Sequence, residues 1–251
     1  MDVTLCDMIF KHRSFHLFMN VGKETITEAE LSETEEKYRT FTPLYPGIRT
    51  EIRIVPEKET NCRCGAEYCI LLYSEKKDGY LQNVGYLGEQ LDLYLVSRGI
   101  GTLWFGIGKT EERSRDGMEY VIMIAVRKIG DETKFRRDAD KCRRKPVGEI
   151  WSGEAIPGVT EFVRLAPSAC NSQPWFVENS GTLTVYRSRR PGKIGIMPAD
   201  KVPFYNRIDL GIFLCFLDLC LARRGIGHER TLLSDDGTGE GLIPNAVYTL
   251  K

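Results

Sequence analysis

One eleven-residue run occurs twice in the chain. Leu91–Gly101 reads LDLYLVSRGIG and Leu217–Gly227 reads LDLCLARRGIG, identical at eight positions and 126 residues apart in a chain of 251. At the same offset Gly85 corresponds to Gly211, and four apolar pairs line up: Leu87 with Phe213, Leu91 with Leu217, Tyr94 with Cys220, Leu95 with Leu221. Their spacing of i, i+4, i+7 and i+8 is the stripe of a helix packed on one face. Gly99 and Gly225 stand where a helix end takes a left-handed residue, and Arg98 and Arg224 suit the negative end of the helix dipole. Two amphipathic helices with similar ends would account for part of this pattern, but chance does not supply so much identity at half the chain length. The chain reads as two copies of one unit, residues 1–148 and 149–251, related by a pseudo-twofold and intertwined as one globular body. A fused pair of this kind can reproduce inside one chain the isologous contact of a homodimer.

The remaining pattern is that of a mixed α/β (α+β) layered fold. Thr4-x-x-Asp7 has the form of a capping box ahead of Leu5, Met8 and Ile9, and Thr27-x-x-Glu30 opens a second helix to about Tyr38. Strands are expected over Ile48–Val55, Glu67–Ser74, Tyr120–Arg127, Trp175–Glu178 and Thr182–Arg187. Val159, Phe162, Val163 and Ala166 form a helical stripe ended by Pro167, and the charged run Asp131–Lys145 is the expected connector between the halves.

Several function classes fall away. Lys+Arg and Asp+Glu both number 35, so the basic excess of a nucleic-acid binder is missing. The longest strongly apolar stretch, Gly99–Gly108, is far short of the roughly 20 residues of a membrane helix. Asp2 and Asp7 stand where a secretion signal needs basic residues and an apolar run, so a cytoplasmic location is expected, with reduced thiols. Cys62, Cys64 and Cys69 cluster, yet structural zinc takes four ligands and no second cysteine pair follows. They read as core and loop cysteines, with Cys69 entering a buried strand, and no metal site is expected. No Gly-x-Ser-x-Gly or His-Glu-x-x-His occurs. In GIGKT (Gly106–Thr110) Leu103 occupies the place of a phosphate loop's first glycine, and Gly237–Gly241 follows no strand.

Two segments carry chemistry. Met8–Phe18, MIFKHRSFHLF, gathers His12, Arg13, Ser14 and His16 at a helix end, a set able to grip a phosphate by charge-assisted hydrogen bonds. Its bland alternative is a solvated cluster of dipole partners. Leu165–Val177, LAPSACNSQPWFV, packs Ser168, Asn171, Ser172 and Gln173 between two prolines ahead of Trp175. That stretch offers rigid backbone and polar groups to a flat ligand, or forms a capped turn into a strand.

Together with GIGTLWFGIG (Gly99–Gly108), these segments resemble the nitroreductase family of flavin enzymes, closely at Ala166–Trp175 and loosely elsewhere, over about half the chain. The order departs from the family's. There the arginine–serine and A-P-S motifs lie near each other in one subunit, whereas here about 150 residues separate them, one in each copy. Family members are dimers holding FMN at the subunit interface, so the resemblance implies that dimer in one chain, a nitroreductase-like three-layer fold with one flavin site kept. TFTPLYPGIR (Thr40–Arg49) occupies the A-P-S region of the first half without matching it. Arg143-Arg144-Lys145-Pro146 resembles the family's basic C-terminal segment.

The resemblance implies FMN, with Arg13, Ser14, His16, Arg143 and Arg144 at its phosphate and ribityl end. Pro167, Ser168, Ala169 and Asn171 would contact the ring, and Gly106 and Ile107 would offer close backbone approach. It further implies an oxidoreductase taking hydride from NAD(P)H and reducing small flat electrophiles such as nitroaromatics or quinones. No side-chain acid or base is required. The expected partner is a small-molecule electron acceptor, and the expected state a monomer acting as a pseudo-dimer. The rival readings are a non-catalytic flavin binder with a degenerate site and a purely structural protein.

Overall fold

The computed structural model describes residues 2–137, 142–189, 195, 197–235 and 241–251. Gly237–Glu240, and Asp138–Lys141 of the expected connector, lie outside the described residues. The chain begins with α1 (Leu5–Lys11) and α2 (Glu28–Arg39). The first sheet is built from β1 (Thr50–Pro56), β2 (Tyr68–Ser74), β3 (Ile100–Phe105), β4 (Ser114–Arg115) and β5 (Met118–Lys128), with α3 (Tyr80–Ser97) joining β2 to β3. The second sheet follows with β6 (Trp151–Gly153), β7 (Trp175–Asn179), β8 (Leu183–Ser188), β9 (His228–Leu232) and β10 (Leu242–Leu250). A single helical turn, α4 (Thr160–Val163), precedes β7, and α5 (Val202–Arg223) joins β8 to β9.

The strand order is β1-β2-β5-β3 in the first sheet, with β4 on β5, and β6-β7-β8-β10-β9 in the second. Apart from β6, which runs parallel to β7, every pairing is antiparallel. Without β4 and β6 the two sheets share one order, and each has its long helix between its second and third strands in chain sequence.

Both helix starts predicted from sequence exist, but only one is capped as expected. The Glu30 N–H donates to the Thr27 hydroxyl at 3.2 Å while the Glu30 carboxylate accepts the Thr27 N–H at 3.0 Å, a complete capping box. At α1 the box fails. Thr4 already has helical backbone angles, and its hydroxyl donates backwards to Asp2 at 2.6 Å, leaving Asp7 to pair with Arg223 at 3.3 Å. The stripe from Val159 to Ala166 gives only the turn α4, although Val159, Val163 and Ala166 are buried.

α3 and α5 are buried on every side, from Leu81 to Val96 and from Ile208 to Leu221. The one-face stripe expected from sequence was too narrow, because each helix meets its partner helix, α1 and strands at once. One apolar core takes in both helices, Ile70, Leu72, Ile122 and Ile124 of the first sheet, and Val177, Val185 and Tyr248 of the second. The opposite face of β2 and β5 (Leu71, Tyr73, Met123, Ala125) packs under a second cluster with Phe15, Phe18, Cys62 and Cys64. Leu91 and Leu217 are both fully buried, and Gly99 and Gly225 both take φ +69°. All eight cysteines are free. Among the described residues, no helix is long and apolar enough to cross a membrane.

The helices meet at two glycines. A Cβ on Gly85 would lie 2.0 Å from the Ile208 carbonyl oxygen, and one on Gly211 would lie 2.0 Å from that of Gln82. Both pairs, 85 with 211 and 82 with 208, stand at the offset of 126.

Candidate functional site

A cavity of about 300 Å³ opens where β3 ends against α5. From the first half it is lined by Ser14, His16 and the run Leu103–Ile107, and from the second by Pro167–Cys170 and by Tyr205, Ile208 and Asp209 of α5. Local backbone contacts put the first group there. α1 ends at Lys11, and the chain then runs beside β3, with Ser14 bridged to Thr102 and the Phe15 N–H donating to the Thr102 carbonyl at 2.9 Å. Trp104 is braced from behind: its indole N–H donates to Glu89 Oε2 at 3.2 Å. Glu89 is fully buried on α3, and burial, with Asp92 nearby, pushes its carboxyl well above the usual range.

The second wall is strained backbone held by side chains. Cys170, Asn171 and Gln173 all take positive φ, a costly conformation for residues with a Cβ. Several contacts fix it. The Ala169 N–H donates to Asp209 Oδ1 at 3.0 Å and the Gln173 N–H to Ser168 Oγ at 2.9 Å. Lys145 donates its N–H to Gln173 Oε1 at 2.8 Å and its ammonium to the Gln173 carbonyl at 3.0 Å. Trp175 then anchors the start of β7 by stacking on Phe213, with ring centroids 4.9 Å apart. Across the cavity the Tyr205 hydroxyl donates to the Gly106 carbonyl at 2.8 Å. A Cβ on Gly106 would come within 2.9 Å of the Tyr205 ring, so glycine suits this position.

Ser14 and His16 also line an adjoining concavity of about 450 Å³, with Arg13, Arg136 and Arg144 around it. Among the described residues none of these three arginines pairs with a carboxylate. Arg13 donates to the Lys134 carbonyl at 3.1 Å, Arg136 to that of Ile9 at 3.3 Å, and Arg144 to Asn171 Oδ1 at 2.6 Å. Burial lowers the pKa of Arg136 and of Arg144, and their mutual repulsion adds to it at Arg144, but a guanidinium stays charged at neutral pH. The two spaces together suit a ligand with an apolar body and an anionic end.

Asp209 is the buried acid of the apolar chamber. Burial pushes its carboxyl up to about 8, against the lowering effect of the hydrogen bonds from Ala169 and Ser172.

Nine of the eleven sequence-predicted residues line one of the two spaces: Arg13, Arg144 and the pair Ser14 and His16 at the basic end, then Gly106, Ile107, Pro167, Ser168 and Ala169. Two do not. The Arg143 side chain is exposed, and only its carbonyl takes part, accepting from Asn171 Nδ2 at 2.8 Å. Asn171 lies outside the lining of both and ties the strained loop to residues 143–144. His12 turns inward: it is buried, with Nε2 3.2 Å from Asp92, which also accepts the Thr102 hydroxyl at 2.6 Å. It therefore caps the core and offers nothing to a phosphate.

Sequence reading missed Arg136, Tyr205 and Asp209. Arg136 lies in the charged run Asp131–Lys145, where one cation among seven carries no signal of its own. Asp209 had a usable signal, a lone acid at the head of the apolar run Ile208–Phe216.

A further cavity of about 570 Å³ is lined by Tyr45, Gly79, Gln82, Leu232 and Leu233, with Arg207 and Asp235. Gly79, Gln82, Leu232 and Leu233 stand 126 residues from Tyr205, Ile208, Gly106 and Ile107. Asn83, at the same offset from Asp209, accepts the Tyr45 N–H at 2.9 Å, so Thr40–Arg49 passes here as the A-P-S loop passes Asp209. Charge crowds this cavity. Asp235 takes both prongs of the buried Arg187 at 2.6 Å and also pairs with Arg207.

No curated protein matches the chain. The fold is similar to that of a protein from Thermotoga maritima, with a TM-score of 0.60 at 19% identity, covering 98% of this chain and 93% of that one. Two shorter matches are a nitroreductase family protein of Clostridium difficile (TM-score 0.48, 14% identity, 60% of this chain and 98% of that one) and an FMN-dependent nitroreductase of another strain of that species (TM-score 0.41, 16% identity, 53% and 92%). Residues 4–221 match the family model described as "Putative TM nitroreductase". With that match spanning most of its length, the chain belongs to the nitroreductase family.

Proposed function

We propose that this oxidoreductase binds FMN in the composite cavity, with NAD(P)H as reductant and small flat electrophiles such as nitroaromatics or quinones as acceptors. The observation that carries the reading is the continuity of an apolar chamber with a concavity ringed by three arginines that pair with no carboxylate among the described residues. Arg13, Arg136 and Arg144 would hold the phosphate, with Ser14 between the two spaces. Pro167–Ala169, Trp104 and Gly106 would flank the ring. Bound there, FMN would supply two-electron hydride acceptance and donation.

The protein's own part is orientation and exclusion of water. The strained loop is held rigid by Asp209, Ser168 and Lys145, and the Tyr205–Gly106 bond closes the far side. Burial raises the Asp209 carboxyl to about 8, which favours its neutral form in the chamber wall.

One chain would bind one FMN without a partner subunit, as a pseudo-dimer of residues 1–148 and 149–251. The shared strand order, the paired glycine contacts and the offset of 126 support this. The counterpart cavity has Tyr45 and the Arg187–Asp235–Arg207 cluster in place of an A-P-S loop, which supports reading it as the lost site.

Flavin absorbance in the purified protein, with one flavin per chain and a monomeric mass by ultracentrifugation, is the expected result. Bleaching by NADH or NADPH in stopped flow separates an enzyme from a passive flavin binder. Arg136→Ala should weaken FMN binding by about 1.5–3 kcal/mol, the worth of a charged hydrogen bond. Unchanged affinity in Arg136→Ala and Arg13→Ala alike would refute the site, and two flavins per chain would refute the lost counterpart.

A further inference from the structure

The connection between β1 and β2 carries a cluster that the proposed electron transfer does not use. Cys62 and Cys64 are both buried, and their sulfurs lie 3.2 Å apart. Glu57 stands against them. Its Oε1 accepts the N–H groups of Cys64, Gly65 and Ala66 at 2.8, 2.9 and 3.1 Å, so the carboxylate is fixed by the loop that carries the thiols. One oxygen of Glu57 and the two sulfurs lie within 4.8 Å of one another. Arg63, between the cysteines, is turned to the carbonyls of Thr60 and Cys62. Cys69 is buried near Cys62 but lies outside this set of three, its sulfur 3.6 Å from the Thr60 hydroxyl.

We propose that Glu57, Cys62 and Cys64 form a zinc site. No second cysteine pair follows in sequence, and the third donor is a carboxylate five residues before Cys62. Two thiolates and a carboxylate suit a d¹⁰ divalent ion and disfavour magnesium or calcium, which take oxygen ligands. Zn–S bonds of about 2.3 Å in a tetrahedron put sulfurs about 3.8 Å apart, so the pair must open by roughly half an ångström, within reach of side-chain rotation. Glu57 is only partly buried, which leaves the fourth position to water. Binding displaces one proton from each thiol into solvent, with no change of oxidation state.

The site would stiffen one wall of the apolar cavity that Gly106 and Ile107 line. Asn61, next to Cys62, donates to the Ile107 carbonyl at 3.1 Å and accepts the Lys109 N–H. Metal in the Glu57–Cys64 loop therefore clamps the chain that carries Gly106 and Ile107.

The test is titration of the reduced, chelator-stripped chain with Zn²⁺ against a chromophoric competitor, and with Co²⁺ or Cd²⁺ to read thiolate-to-metal charge transfer. One equivalent should bind with that absorption. Cys62→Ser and Cys64→Ser should each abolish the band, Glu57→Gln should weaken binding at least tenfold, and Cys6→Ala should leave it intact. Zn²⁺ should raise the melting temperature of the wild-type chain and not that of Cys64→Ser. No charge-transfer band in the wild-type chain would overturn the proposal whether or not the variants fold, as would a band that survives in the Cys62→Ser/Cys64→Ser double variant.

Discussion

Gly85→Ala and Gly211→Ala test the helix contact on which the whole layered arrangement rests. Inside an exposed helix, glycine to alanine gains about 1 kcal/mol from propensity. Here the sign should reverse. Each added Cβ would sit 2.0 Å from a carbonyl oxygen of the other helix, where real Cβ contacts stay beyond 3.0 Å, so the backbones must part by about 1 Å. The displaced segments are buried on all sides and have no free volume to move into. Overpacking of this kind costs about 1–3 kcal/mol with side chains alone, and backbone obstruction belongs at or above the top of that range. After the propensity gain the net loss should be about 2 kcal/mol or more, a fall of roughly 4–8 °C in melting temperature for a chain of this size. The two variants should lose similar amounts. The double variant should lose less than the sum, because one separation relieves both overlaps. Urea and thermal unfolding followed by circular dichroism measure all three. A single variant as stable as the wild type would refute the close approach.

Leu91→Ala and Leu217→Ala should each cost about 2–5 kcal/mol in urea unfolding, since both leucines are fully buried in the shared core. Asp235→Ala should cost about 3–5 kcal/mol, because it strands the buried Arg187 without its carboxylate. For Asp209 the folded pKa of about 8 exceeds the ordinary 3.8, so its contribution to stability is full below about pH 4 and is lost as pH rises toward 8. Its share of that decline, about 1.4 kcal/mol per pH unit at most, should vanish in Asp209→Asn, and an unchanged slope would mean that the carboxyl is ionised in the folded state.

The parts legible in the sequence are those written in local pattern. The repeat located α3 and α5, the Thr27–Glu30 box started α2, alternation found β1, and the other strand-like runs found β2, β5, β7 and β8 within a few residues. Residues whose role depends on distant partners were not legible. His12 reads as a cation at a helix end, but Asp92, 80 residues away, takes it into the core. Arg136 reads as one charge among many until the fold sets it beside Arg13 and Arg144. Tyr205 carries no local signal, since its role is a hydrogen bond to a carbonyl 99 residues earlier. Glu57 was invisible as a metal donor because a carboxylate in a charged loop is the commonest of surface features.

The two glycine variants should part company at the site, although their stabilities match. Ile208, whose carbonyl faces Gly85, lines the proposed flavin cavity beside Asp209. Gln82, whose carbonyl faces Gly211, lines the counterpart cavity instead. An alanine at Gly85 therefore pushes on the cavity wall itself, and through Asp209 on the Ala169 N–H that holds the strained loop. An alanine at Gly211 pushes on a wall that the proposed ligand never touches. FMN affinity, measured by fluorescence titration at a temperature where both variants are fully folded, should fall in Gly85→Ala and stay close to wild type in Gly211→Ala. Equal losses in both would mean that helix separation is felt uniformly along α3 and α5. Loss in Gly211→Ala alone would place the flavin in the other cavity and reverse the assignment of kept and lost sites.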